Sequence, residues 1–257
     1  MKTIIVCIQC LIFFMTSFVK CQDNYEIQVY GSETQIPGDV MLELHNNYTV
    51  DGSSTSVDDV LPTKSAFHET MELTVGVTSC FEVGGYLFTS ARSGYGLQWV
   101  GDHIRPRIRA PESWGLPVGL SLSGEIGYQR REYSTDTWTV ELRPIVDKQL
   151  NRWYFSLNPA MDFSLKGLNQ HRGLEFSPNL KAGFSVTDVV VLGVEYYGSL
   201  GPLSKFDPAS DQLHQIFPSI DLNISPEWEF NSGVGFGLTP ATDHLIAKII
   251  LGRRFGN

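Results

Sequence analysis

Residues 152–165 read RWYFSLNPAMDFSL, and apolar side chains alternate with polar ones along the stretch. Successive side chains of a β-strand point to opposite faces, so the stretch predicts a strand with one apolar and one polar face. The apolar parity holds Trp153, Phe155, Leu157, Met161 and Phe163, and the polar parity holds Tyr154, Ser156, Asn158, Asp162 and Ser164. Such a strand fits a soluble β-sandwich with a dry core, or a barrel whose apolar face meets lipid.

The same alternation recurs along the whole chain, broken by turn residues. It predicts strands at 39–50, 66–77, 81–91, 97–109, 117–130, 137–148, 152–165, 174–186, 189–200, 213–224, 227–238 and 243–255. The connections alternate between tight joints, near 79–80, 148–151, 187–188 and 225–226, and long loops at 51–65, 166–173 and 201–212. The joint at 111–115 is somewhat longer than the other tight ones. An even number of strands of about ten residues, with tight turns at one end and long loops at the other, is typical of an outer-membrane β-barrel.

Composition excludes several other classes of protein. Hydrophobic residues make up 42% and charged residues 18% of the 257 positions, which excludes a disordered chain. The formal net charge of −9 provides no basic surface for nucleic acid. After the first 21 residues no segment approaches the 18 consecutive apolar residues that a membrane-spanning helix requires.

The N-terminus has the layout of a secretory signal. Lys2 precedes an apolar run from Ile4 to Phe14, and Val19 and Cys21 fit the small-residue rule at a cleavage site before Gln22. We therefore predict a signal peptide at 1–21 and a barrel domain at 22–257. A lipoprotein acylated at Cys21 is the alternative, although Lys20 fits it poorly. Cys80 is the single cysteine after residue 21, so no internal disulfide is expected.

Aromatic residues favour lipid over a sandwich core as the environment of the apolar faces. Transmembrane barrels carry two girdles of aromatic residues, one at each lipid–water interface. In this sequence the aromatic residues near the ends of the predicted strands are Tyr48, Phe67, Phe81, Tyr128, Trp138, Trp153, Phe163, Phe176, Phe184, Trp228 and Phe255. We predict an all-β fold, a single antiparallel up-and-down transmembrane β-barrel of about 12 strands.

The closing strand HLIAKIILGRRF, the export signal and the dozen amphipathic strands resemble Gram-negative outer-membrane β-barrel proteins. The segments YEIQVYGSE, ELHNNYT, HIRPRIRAPESW and GVEYYGSLGP are similar to uncharacterised exported bacterial barrel proteins. The resemblance covers nearly all of the chain after the signal, as a pattern rather than a sharp motif. It implies location in the outer membrane, with outer-membrane lipid and the barrel-assembly machinery as partners, and it brings no activity. Gly256 and Asn257 follow Phe255, whereas barrels of this class usually end on the aromatic residue.

Five prolines lie on the apolar parity within predicted strands: Pro106, Pro144, Pro159, Pro178 and Pro218. A closed barrel has no edge strand, so each proline removes a hydrogen bond from the sheet. We expect β-bulges or positions near the interfaces at these prolines. Shorter strands, or an incompletely closed barrel, are the alternatives.

Charged side chains on the polar parity are the candidate functional residues. Arg105, Arg107 and Arg109 share one face, and opposed rows of charge in a pore set ion selectivity. The same charges in a plugged barrel would be salt bridges that rigidify the interior. The full set of lumen candidates is Arg105, Arg107, Arg109, Arg143, Lys181, Glu125, Glu141, Glu175, Glu195 and Glu229.

The sequence also offers candidate metal ligands, because imidazoles and carboxylates share the polar parity early in the chain, although no recognised ligand spacing is present. The candidates are His45, His68, His103, Glu43 and Glu72, and a hydrogen-bonded network in the lumen is the alternative. No cofactor is expected.

The predicted function is a passive channel for ions or small polar solutes, argued by analogy of fold. The alternatives are a structural or ligand-binding barrel with a plugged lumen, to which the polar loops 51–65 and 201–212 would contribute, and a lipid-modifying outer-membrane enzyme. The enzyme is disfavoured, because no histidine on the apolar parity lies beside a serine that it could activate. No catalytic residue is therefore predicted.

Overall fold

The computed structural model describes residues 24–256, and twelve antiparallel strands close there into one barrel. Each strand pairs with its neighbours in sequence, and the last strand pairs with the first, which is the up-and-down order. The strands are β1 (Val40–Asp51), β2 (Phe67–Thr78), β3 (Phe81–Arg92), β4 (Gly96–Arg109), β5 (Gly119–Gln129), β6 (Asp136–Leu150), β7 (Trp153–Gly167), β8 (Glu175–Ser185), β9 (Val190–Ser199), β10 (Leu213–Leu222), β11 (Trp228–Gly237) and β12 (Leu245–Phe255).

The apolar faces of the strands point outward. In β7, Trp153 and Phe155 are 47% and 42% exposed, whereas Asn158 is fully buried in the interior. A water-soluble fold buries its apolar rows, and this fold displays them around the whole circumference. The predicted barrel is confirmed, and the soluble-sandwich alternative is wrong because one sheet closes on itself.

Aromatic side chains ring the barrel at both ends. Trp99, Tyr128 and Trp138 pack side by side across β4, β5 and β6 near the ends that carry the long loops. Trp153 packs on Phe184 at the opposite end, beside the tight turns. This arrangement is the girdle pattern of transmembrane barrels.

The connections follow the predicted alternation except around β4, where residues 93–95 make a short turn at the long-loop end and residues 110–118 make a long joint at the tight-turn end. Two-residue turns join β2 to β3 and β6 to β7, and Asn151 has the positive φ of 53° that tight turns accept most readily from glycine and asparagine. The short 3₁₀-helix Glu112–Trp114 lies in the longer joint between β4 and β5. No helix among residues 24–256 is long and apolar enough to cross a membrane.

The prolines do not form the expected bulges. Register shifts occur at other positions, such as Gly76/Thr78 and Phe88/Thr89. Pro106 faces Val83, and Pro159 faces Pro178, within unshifted registers. In an antiparallel sheet the backbone N–H and C=O of one residue both point to the same neighbouring strand. Each proline therefore removes a hydrogen bond to one neighbouring strand, while the pairing with the other strand and the closure of the barrel are kept.

Residues 24–38 form an extended segment before β1, and we call this segment the plug. Its first part is largely buried inside the barrel, and residues 36–38 are exposed at the tight-turn end. Ile27 and Val29 pack against Tyr197, Phe217 and Ile246 of the wall, and Tyr25 packs against a second apolar cluster. The sequence did not predict the plug. The predicted signal peptide at 1–21, its cleavage site and the alternative acylation of Cys21 lie outside the described residues.

Candidate functional site

The plug runs along the full length of the lumen. At the long-loop end, Asn24 Nδ2 donates to Asp243 Oδ2 at 2.6 Å. At the tight-turn end, the Gly38 amide donates to the Gly76 carbonyl at 2.9 Å, where the plug turns into β1. A side chain at Gly76 would overlap the Ile36 carbonyl, so glycine is required where the plug leaves the lumen.

Side chains of the wall satisfy the main-chain carbonyls of the plug. Thr70 Oγ1 donates to the Tyr25 carbonyl at 2.7 Å, and Lys248 Nζ donates to the Ile27 carbonyl at 3.0 Å. The Arg107 guanidinium reaches two more carbonyls, those of Gly31 and Glu33. Buried backbone groups need such partners, and here they come from side chains rather than from strand pairing.

Asn158 holds the middle of the plug in a two-way hydrogen bond. Its Oδ1 accepts from the Tyr30 amide at 2.8 Å, and its Nδ2 donates to the Tyr30 carbonyl at 3.0 Å. Ser156 Oγ donates to the same carbonyl at 2.6 Å. Two residues later, Ser32 donates through its amide and its hydroxyl to the Asp147 carboxylate, at 2.9 and 2.7 Å.

The Tyr30 ring lies among three guanidinium groups. The central carbons of Arg105, Arg107 and Arg143 are 5.1, 5.7 and 5.0 Å from the ring centre. Cations at this distance from an aromatic face are attracted to it, more strongly when water is excluded. The plug therefore lies against Arg105 and Arg107, two of the three arginines that the sequence placed on one face of the lumen wall.

Carboxylates neutralise these arginines. Arg105 forms ion pairs with Glu72 and Glu82, and Arg107 pairs with Glu82 at 2.7 Å. Arg143 donates to the wall residue Glu141 at 2.8 Å and to Glu26 of the plug at 3.1 Å. The plug thus contributes one of its own carboxylates to the charge balance of the lumen.

The other predicted lumen residues are distributed along the barrel. Lys181 bonds Asp221 at 2.7 Å, and Glu195 pairs with Lys248. Arg109 lies apart from the lumen arginines, because it bonds the Ser79 carbonyl and Glu112 at the tight-turn end. The remaining carboxylates also have polar contacts, Glu125 with His103, Glu175 with Arg172 and Glu229 with Gln28 of the plug.

A polar cavity of about 290 Å³ opens at the long-loop end, above Tyr25 and Glu26 of the plug, and we call it the vestibule. Burial raises the pKa of the Tyr133 hydroxyl, which therefore stays protonated at the rim. Arg92 and Arg143 are the arginines of the lining, and carboxylates outnumber them: Glu26, Glu125, Asp136, Glu141, Asp162 and Glu175. The vestibule is therefore suited to cations.

Three of the five predicted metal ligands converge. One ligand atom from each of Glu43, His45 and Glu72 lies within 4.8 Å of the others, and all three residues are buried. His68 lies elsewhere, with its ring edge-on to Tyr25, and His103 contacts Glu125.

The outward-facing His214 has no serine beside it. Its Nδ1 is 2.6 Å from the Tyr196 hydroxyl, and its Nε2 is 3.0 Å from Gln212 Oε1. A serine hydrolase needs the histidine within hydrogen-bond reach of the nucleophilic hydroxyl, so this histidine does not form that pair.

Fold and lumen together define a closed transmembrane β-barrel with an apolar outer surface and a polar interior. The COG4313 outer membrane channel from Pseudomonas putida F1 is similar, with a TM-score of 0.57 and 12% identity over 90% of this chain and 100% of that chain. The KdgM porin is similar with a TM-score of 0.53 and 8% identity, over 84% of this chain and 99% of that chain. At these identities the likeness shows a shared fold. No protein-family model and no curated protein matches the sequence.

Proposed function

We propose that the protein is an outer-membrane channel that its own plug closes, and that it passes small polar solutes, cations preferentially, when the plug moves. The main observation that supports this proposal is that the barrel closes without the plug, because β1 pairs directly with β12 and β2. The plug can therefore leave while every strand keeps both neighbours. The hydrophilic wall it would expose is suited to water.

The contacts that hold the plug favour a reversible closure. Most of them are hydrogen bonds and ion pairs to side chains, and water can replace such partners when the plug moves. The apolar contacts are limited to a few side chains, chiefly Tyr25, Ile27 and Val29. The vestibule would gather cations at the long-loop end, since carboxylates predominate there.

A permanently plugged structural barrel is the second candidate. The burial of Ile27 and Val29 against Phe217 favours it, because withdrawing the plug exposes these apolar side chains to water. Both candidates share the location in the outer membrane and the contact with its lipid, which the outward apolar belt supports. The barrel-assembly machinery is a proposed partner of both.

Planar-bilayer recording distinguishes the two candidates. Residues 22–257 are refolded from denaturant, beside a variant in which residues 24–33 are deleted and one in which they are replaced by an equally long Gly-Ser sequence. We expect brief openings from the intact chain and persistent, larger conductance from both variants. The Gly-Ser variant controls for chain length, since it keeps the segment and removes its side-chain partners.

Silent traces from both variants, after insertion is verified by protease protection in liposomes, would contradict the channel and support the structural barrel. A persistent conductance of the intact chain equal to that of the variants would contradict closure by the plug.

A further inference from the structure

A carboxylate–histidine cluster on the lumen wall lies directly under the plug. Glu43 and His45 are two residues apart on β1 and therefore share its inner face. Glu72 of β2 is directly opposite Glu43 in the strand register. Like charges in directly opposed positions repel each other, so a wall built only for stability would not favour this arrangement.

The ring nitrogens of His45 make one long contact and no hydrogen bond. The residue is 0% exposed, and neither Nδ1 nor Nε2 makes a hydrogen bond to any part of residues 24–256. Nε2 is aimed at the carboxylate of Glu72, whose Oε2 is 3.5 Å away. A buried polar atom without a partner is costly, and an imidazole nitrogen lone pair is a common ligand of metal ions.

The buried carboxylates near His45 also favour a bound cation. Glu72 has Arg105 as a partner, whereas neither Glu43 nor Glu229 has a lysine or arginine within ion-pair distance in the described part of the chain. Both carboxylates instead share the Gln28 amide of the plug, with Nε2 at 3.4 Å from Glu43 and 3.2 Å from Glu229. Carboxylates buried without compensating charge are destabilising.

We propose that Glu43, His45 and Glu72 bind one divalent transition-metal ion, with Zn²⁺ the best match. One imidazole and two carboxylates are a nitrogen–oxygen ligand set that suits Zn²⁺, whereas Mg²⁺ and Ca²⁺ prefer oxygen alone. The ion satisfies a nitrogen of His45 and supplies the charge that Glu43 lacks. Binding of the ion requires the three ligand side chains to shift by about 1 Å, since ligand atoms around Zn²⁺ lie about 3–3.5 Å apart.

Gln28 connects this site to the plug. Its Oε1 is a buried acceptor without a partner, while its Nε2 faces Glu43. Rotating the amide by half a turn brings Oε1 to the side of the carboxylates, where a carbonyl oxygen is a metal ligand. The bound ion thereby fastens the plug to β1 and β2.

His68 provides a matched control within the same barrel. It is a buried lumen histidine on β2, and both of its ring nitrogens also lack hydrogen-bond partners. Its ring lies against Tyr25, outside the group of three converging ligands. Substitution of either histidine removes the same side-chain volume and the same type of ligand. A difference in Zn²⁺ affinity between the two variants is therefore due to the carboxylates beside His45.

The test uses residues 22–257 refolded in detergent, stripped with a chelator and titrated calorimetrically with Zn²⁺, with Mg²⁺ as a second probe. We expect one Zn²⁺ per chain and no measurable binding of Mg²⁺. His45→Ala weakens Zn²⁺ binding about 100-fold, and His68→Ala leaves it unchanged. Glu43→Gln, which keeps the side-chain volume, gives a second variant should His45→Ala not refold, and it weakens binding about 10-fold or more.

Absence of stoichiometric Zn²⁺ binding to the intact chain would overturn the proposal. Equal losses in His45→Ala and His68→Ala would also overturn it, because the ion would then not reside at the three ligands. The measurement is made on the closed barrel in detergent, so its result does not depend on whether the barrel conducts.

Discussion

Asn158 shows how a single inward side chain holds the plug in the lumen. It is fully buried, and its amide group matches both polar groups of one plug residue, Tyr30. The alternating pattern of β7 predicted that Asn158 faces inward. The pattern could not predict its partner, because Tyr30 is 128 residues away in the sequence and lies in no strand.

Asn158→Ala should loosen the plug without disturbing the barrel. The variant loses both amide hydrogen bonds to Tyr30, each worth about 1 kcal/mol. A loss of about 2 kcal/mol corresponds to a roughly 30-fold rise in the ratio of open to closed channels. Single-channel recording should therefore show a higher open probability at an unchanged conductance per opening.

Asn179→Ala is the control for that variant. Asn179 lies directly opposite Asn158 on β8 and lines the vestibule, and no side-chain hydrogen bond joins it to the plug. We expect its open probability to equal that of the unmodified chain. An equal rise in both variants would mean that any change of the wall opens the channel, and that the bonds to Tyr30 are not the cause.

At the scale of elements, the strands could be predicted and the plug could not. Alternation sets the face of every strand residue, so twelve strands were predicted with ends within two residues of those in the structure. Residues 24–38 form no ladder with any strand, and they take most of their partners from side chains on many strands. Their position is encoded in distant wall residues such as Thr70, Ser156 and Lys248, which local periodicity does not reveal.

A disulfide between the plug and β5 should hold the channel closed. A Cβ at Gly119 would lie 3.1 Å from the Ser32 Cβ and 2.0 Å from Asp147 Oδ1. Disulfides hold their Cβ atoms about 3.5–4.5 Å apart, so the bond requires the plug and the Asp147 carboxylate to shift slightly away from β5. We expect Ser32→Cys/Gly119→Cys, in a Cys80→Ser background, to lose its brief openings under oxidising conditions and to regain them with a thiol reductant. Bilayer recording before and after perfusion of the reductant measures both states in one membrane.

The single variants Ser32→Cys and Gly119→Cys, each in the same background, control for the substitutions. Neither can form the bond, so neither should respond to the reductant. If the oxidised double variant opens as often as the reduced one, while mass spectrometry verifies the disulfide, then conduction does not require movement of this part of the plug.

At the scale of the whole molecule, the barrel has apolar side chains outside and paired charges inside. The sequence identified the inward charges but could not show how they pair, because pairing depends on the strand register and on the plug. The structure separates two regions. Arg105, Arg107 and Arg143 are matched by carboxylates beside the plug, whereas carboxylates predominate in the vestibule. Selectivity is therefore expected to depend on the vestibule more than on the arginines.

Charge in the vestibule should make the opened barrel cation-selective. Asp162 and Glu125 line this cavity and form no ion pair with a lysine or arginine among residues 24–256. In the variant lacking residues 24–33, we expect the reversal potential in a KCl gradient to show a preference for K⁺. This potential should decrease in the double variant Asp162→Asn/Glu125→Gln. It should also decrease at salt near 1 M, where screening is strong. Glu112→Gln is the control, since this carboxylate is 85% exposed at the opposite end. Anion preference in the opened barrel, or an equal effect of Glu112→Gln, would instead assign selectivity to another part of the lumen.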